Sequence, residues 1–153
     1  MLSIKVRFDD DLVMRQVVKP RQGRLGMFPD IAFYIYLESD GIAFPDNTWL
    51  EDGRCTLSIW ASEINNAMNN EKMGVFTFIE CPFFLRFQIN DQDIEIRYQD
   101  GTLYCVDSLA NFQSELRETI DATNNDLARL SLLTGTSIQL IEAQSNSPQA
   151  TER

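Results

Sequence analysis

The chain has 153 residues, enough for one domain that buries roughly 70% of its unfolded surface. Its 44% hydrophobic and 24% charged residues exclude a disordered or low-complexity chain. Thirteen basic against 23 acidic residues give a net charge of −10, which makes free nucleic acid and anionic membranes poor partners and a basic protein a good one.

Leu2, Ile4, Val6 and Phe8 alternate with Ser3, Lys5 and Arg7, the period of a half-buried strand. Asp9-Asp10-Asp11 interrupts the pattern, and the apolar, β-branched residues 12–18 read as the returning strand of a hairpin. Residues 19–30 hold two prolines, two glycines and three basic side chains, and read as a loop. Residues 31–38 put Ile31, Phe33, Ile35 and Leu37 on one face and Ala32, Tyr34 and Tyr36 on the other. With both faces largely apolar, this is a central strand. Ser39-Asp40-Gly41 turns the chain, residues 42–44 pair back, and Pro45-Asp46-Asn47 stops the ladder.

Leu57, Trp60, Ala61, Ile64 and Met68 recur at helical spacing, which predicts an amphipathic helix over about residues 54–69. Its start stays open, because residues 55–60 also fit an extended run. Four strand-like runs follow at 75–80, 83–89, 94–99 and 102–106, the last two joined by Asp100-Gly101, a strong hairpin signal. Adjacent Phe83 and Phe84 must face opposite ways. Asp107 or Ser108 caps a second helix whose apolar residues Phe112, Leu116, Ile120, Thr123, Leu127 and Leu130 carry it to about residue 133, with Gly135 suited to its C-terminal cap. Residues 136–142 read as a short edge strand and 143–153 as a disordered tail. The sum is an α+β fold: an antiparallel meander sheet of about six or more strands with two helices packed on one face, in a single domain over residues 1–142.

The charge is uneven: residues 1–24 carry a net +3 and residues 25–153 a net −13. The basic segment is solvated, or meets the chain's own acidic surface or that of a second copy. Histidine is absent, which removes the commonest general base and zinc ligand. Cys55, Cys81 and Cys105 form no CxxC, so they predict neither a zinc site nor a redox pair, and with no activating base they read as reduced structural thiols. Their odd number fits a reducing cytosol, and the N-terminus lacks the apolar stretch of a signal peptide. Asp9-Asp10-Asp11 lacks the ordered spacing of a calcium loop. The glycines and arginines of residues 21–26 match no phosphate-binding motif. No spacing singles out a catalytic carboxylate pair. Trp60 belongs to the apolar stripe, whereas Trp49, beside Asp46, Glu51 and Asp52, reads first as core or loop packing and second as an aromatic amid acids that suits a protein interface.

The stretch Ile35-Tyr36-Leu37-Glu38, Asp40-Gly41, Phe44-Pro45-Asp46 and Trp49, then residues 57–60, Pro82-Phe83 and Arg86, resembles a group of small bacterial proteins, some similar to immunity proteins of polymorphic toxin systems. The resemblance covers residues 31–120, with Ala61 where the pattern often carries a second aromatic. It implies a protein that binds and blocks a toxin, with no catalytic residues. The expectation is therefore a cytoplasmic, non-catalytic protein-binding module for a basic partner. Asp46, Trp49, Glu51 and Asp52 form the candidate face, and no metal or cofactor is expected. A homo-oligomer stays open. The alternative is a small-molecule-binding domain or a carboxylate-using enzyme with its pocket between sheet and helices.

Overall fold

In the computed structural model, residues 1–18 and 31–142 are described. The expected loop at 19–30 and tail at 143–153 lie outside them. The fold is α+β, and the described residues form three helices and two four-stranded antiparallel sheets where one larger sheet and two helices are expected. The first sheet centres on β2 (Phe33–Ser39), paired on one side with β1 (Leu2–Arg7) and on the other with the short β3 (Ile42–Phe44) and β4 (Leu50–Glu51). The second runs in chain order through β5 (Met73–Thr77), β6 (Phe84–Asn90), β7 (Asp93–Arg97) and β8 (Leu103–Ser108). Helix α2 (Gly53–Asn69) packs on β5 and β2, and α3 (Leu109–Thr134) spans β1, β7 and β8, so the two sheets share one core. There Trp60 of α2 meets Phe76 and Phe78, and Phe76 meets Phe87 and Phe112 of α3. Each such buried ring contributes about 1.5–3 kcal/mol.

Two expected strands are absent. Residues 12–18 belong to α1 (Asp10–Val18), not to a hairpin. Asp9 decides this: its carboxylate accepts the Leu12 N–H at 3.1 Å, and its carbonyl accepts the Val13 N–H at 3.0 Å. Asp10 and Asp11 then complement the positive end of the helix dipole, which outweighs the weak β preference of the valines. Residues 136–142 form no strand either, because α3 side chains take their backbone groups. The Asn124 amide pairs with both N–H and C=O of Ile141, at 2.8 and 2.9 Å, and the Ser131 hydroxyl donates to the Thr136 carbonyl. Gly135, at φ 66°, ends α3 in the left-handed conformation that lets the chain turn back.

Carboxylates cap part of two sheet edges, β1 and β5. On β1 the Leu2 N–H donates to Asp107 Oδ2 and the Ile4 N–H to Glu115 Oε1, both at 2.9 Å. Along the chain of β5 the Val75 N–H donates to Glu63, the Trp60 indole N–H to the Thr77 carbonyl, and the Ile79 N–H to Glu51. An open edge is a template for pairing with other chains, and these caps occupy part of it on β1 and β5. Asp107, Glu115, Glu63 and Glu51 are thus part of the framework.

Candidate functional site

The residues nominated from the sequence fall in very different places. Asp46 is exposed, its carboxylate accepting from the Thr48 N–H and hydroxyl at 2.8 Å each. Trp49 is half-buried against the core and donates its indole N–H to Glu51 Oε1 at 2.7 Å. Glu51 is only 1% exposed. Besides Trp49, it accepts from the Thr56 hydroxyl and from the Ile79 N–H at 3.0 Å. Asp52 pairs with Arg54 at 3.3 Å, just before α2. Gly53 opens that helix pressed against the Phe33 ring, where a Cβ would collide. Of these residues Asp46 is exposed and Trp49 and Asp52 are half-buried, whereas Glu51 points inward and joins β4, α2 and the chain after β5. Three donors and no solvent leave its carboxylate no free position for a ligand.

A different cluster, which includes Phe44 just before Asp46 in the chain, lies half-buried at the margin of the core. Sequence alternation would place Tyr104 on the open face of the second sheet. Instead, Ile96 pairs with Cys105 and Arg97 with Leu103, leaving Tyr104 as the extra residue of a bulge. Bulges redirect side chains, and here the Tyr104 ring comes to lie 5.3 Å from Tyr98, at 70°, with its hydroxyl donating to the Ile42 carbonyl at 2.8 Å. Phe44 sits 6.0 Å from Tyr98, 6.3 Å from Tyr104 and 5.8 Å from buried Phe78. Phe44, Tyr98 and Tyr104 thus form a half-buried aromatic surface where β3 meets the β7–β8 hairpin, continued by Ile42, 56% exposed.

Turns around these strands supply acids. Asp40 stands at the tip between β2 and β3, Asp46 follows β3, and Asp100 sits at the tip between β7 and β8; all three are exposed. The Thr102 N–H, which donates to Asp100 at 2.9 Å, holds that carboxyl below its ordinary range and so keeps it charged. The chain's amino terminus, 3.8 Å from Asp40, and Arg97, bonded to the Gly101 carbonyl at 2.9 Å, are the nearby cations. Burial, then the neighbouring Cys105 and Tyr98, push the Tyr104 hydroxyl upward, so it remains a neutral donor.

The thiols lie apart from this surface in chemistry. Burial pushes Cys105 up to about 11 and raises Cys81 as well, so both are thiols at neutral pH, the weakly nucleophilic form. Among the described residues no group of three or more cysteines and acids could hold a metal ion. No helix among them is long and apolar enough to cross a membrane. No protein-family model, curated protein or solved structure matches the chain.

Proposed function

We propose that this chain is a non-catalytic, cytoplasmic protein-binding module that occludes a basic partner, acting as its resemblance to immunity proteins implies, by covering a toxin rather than by chemistry. The observation that carries the reading is the half-buried aromatic surface of Phe44, Tyr98 and Tyr104, with exposed Asp40, Asp46 and Asp100 on the turns of the strands that carry it. Aromatic anchors supply contact area at low entropic cost, and exposed acids on those turns steer a cationic surface toward them. A lysine or arginine laid over one ring gains about 0.5–2 kcal/mol, depending on how far it is desolvated. The framework takes Glu51, Glu63, Asp107 and Glu115, while Asp40, Asp46 and Asp100 stay exposed on the turns next to the aromatic strands.

The test is hydrogen exchange of the chain alone and in complex with a partner captured at low salt. Amides of residues 42–46 and 98–104 should slow in the complex. Slowing confined to other segments would overturn the assignment of this surface.

A further inference from the structure

The last described segment, residues 136–142, runs back beside α3 without joining a sheet. Among the described residues no backbone–backbone hydrogen bond fastens this arm to the rest of the chain. Side chains hold it instead. Asn124 grips the N–H and C=O of Ile141, Ser131 donates to the Thr136 carbonyl at 2.7 Å, and Arg54 of α2 donates to the Gln139 carbonyl at 3.3 Å. Ile138 and Ile141 are both 6% exposed, so the arm completes the core. The body of the fold therefore holds a site for an extended segment of the form Ile-x-x-Ile, and the arm seated there shows what fits it. A single residue joins the arm to its helix: α3 ends at Thr134, and Gly135 turns the chain at φ 66°. An added Cβ at Gly135 would meet nothing within 4 Å, so only the left-handed backbone calls for glycine there. Beside this hinge, in the last turn of α3, Leu132 is 87% exposed and Leu133 57%.

We propose that the arm exchanges between two copies of this chain, each lending residues 136–142 to the other in a closed two-fold dimer. Every side-chain grip and both buried isoleucines are made again across the pair, so exchange forfeits none of them. Once Gly135 takes ordinary helical or extended angles, the arm leaves its own α3 and reaches the vacated site on the second copy. The hinge then decides where the copies meet. Thr136 lies no more than about 7 Å from Thr134, two residues away, so the end of one α3 is drawn up to Ser131 on the other. Leu132 and Leu133 of both copies come together there, which removes from water side chains that the single chain leaves in it. A second copy is the occupant on two grounds. It carries the segment that the site already fits, and the exposed leucines stand at the place where exchange brings two copies into contact.

Size exclusion with light scattering, on the full chain over a range of concentrations, tests the exchange. The parent should show a dimer that grows with concentration. Gly135→Ala strains the turned-back hinge and favours continuation of the helix. A non-glycine residue in the left-handed conformation is disfavoured about fivefold, and a dimer relieves two hinges, so its association constant should rise about 25-fold. Gly135→Asn, which tolerates that conformation, should behave like the parent. Leu132→Ser combined with Leu133→Ser should lower the dimer fraction and leave the thermal midpoint of the dilute chain little changed, because both side chains are exposed in the single copy. A parent and a Gly135→Ala variant that both stay monomeric would overturn the proposal. So would a dimer indifferent to Gly135→Ala or to the paired leucine change, which would assign association to a different face with the arm left in place.

Discussion

Replacing Glu51 by glutamine tests whether that residue belongs to the framework or to a binding face. Its Oε1 accepts the Trp49 indole N–H, and its Oε2 accepts the Thr56 hydroxyl and the Ile79 N–H. A glutamine keeps the shape but turns one acceptor into a donor. With nitrogen at the first position it faces the indole N–H; at the second it faces the Ile79 N–H. Either way one buried donor is orphaned, at about 1–3 kcal/mol, and the surviving bonds lose their charge assistance. Relief of a buried charge offsets part of this, which leaves a net loss of roughly 2–3 kcal/mol. For a domain of this size that lowers the thermal midpoint by about 4–12 °C. Urea denaturation followed by circular dichroism should show a lower midpoint at unchanged slope, the mark of altered stability rather than altered compactness. A Glu51→Gln protein that melts like the parent but loses its partner would refute the reasoning and return Glu51 to the binding face.

Two further outcomes follow from the geometry. Tyr104→Phe removes the bond to the Ile42 carbonyl and should cost about 0.5–1 kcal/mol, with amide exchange accelerating in β3 ahead of β6. Asp10 and Arg129 form a two-pronged pair at 3.1 Å per contact that fastens α1 to α3 and holds the Asp10 carboxyl below its ordinary 3.8. A carboxyl lowered by folding adds stability that is complete above 3.8 and is lost as pH falls through the lower folded value. Amide protection in α1 should therefore fall over that acidic range at low salt, and Asp10→Asn should remove the dependence. An unchanged profile in the variant would assign it to another group.

What the sequence displays, it displays through period and punctuation. The stripe of Leu57, Trp60 and Ile64 lies fully inside α2, which begins at Gly53 and so settles residues 55–60 as helix. Asp100-Gly101 turns a hairpin, and Ser108 and Gly135 bound α3 at both ends, Ser108 by accepting the Asn111 N–H. These signals are local, and local chemistry suffices for them. The errors arise where a side chain replaces a backbone partner. Asp9 converts an apparent strand into α1, and Asn124 and Ser131 occupy the groups through which residues 136–142 would have paired. The candidate surface is of the same kind. Nothing in the alternation of residues 102–106 announces the bulge that brings Tyr104 to Tyr98 and Phe44. The acidic character of Glu51 likewise gives no sign that an indole, a hydroxyl and an amide enclose it. Its identity suited an interface, but only the fold decides which way it points.

The measurement that bears most directly on the proposed function is the salt dependence of association between this chain and the partner it captures, followed on a biosensor. The Debye length falls from about 30 Å at 0.01 M to about 8 Å at 0.15 M, so a surface with exposed acids on its turns, meeting a basic one, should lose association rate steeply across that range. Asp46→Lys and Asp100→Lys should slow association, and Phe44→Ala should mainly speed dissociation, since charge sets encounter and anchors set residence. A rate indifferent to salt and to all three substitutions would contradict the assignment of this surface, and turnover of a small substrate by the purified chain would contradict the non-catalytic reading itself.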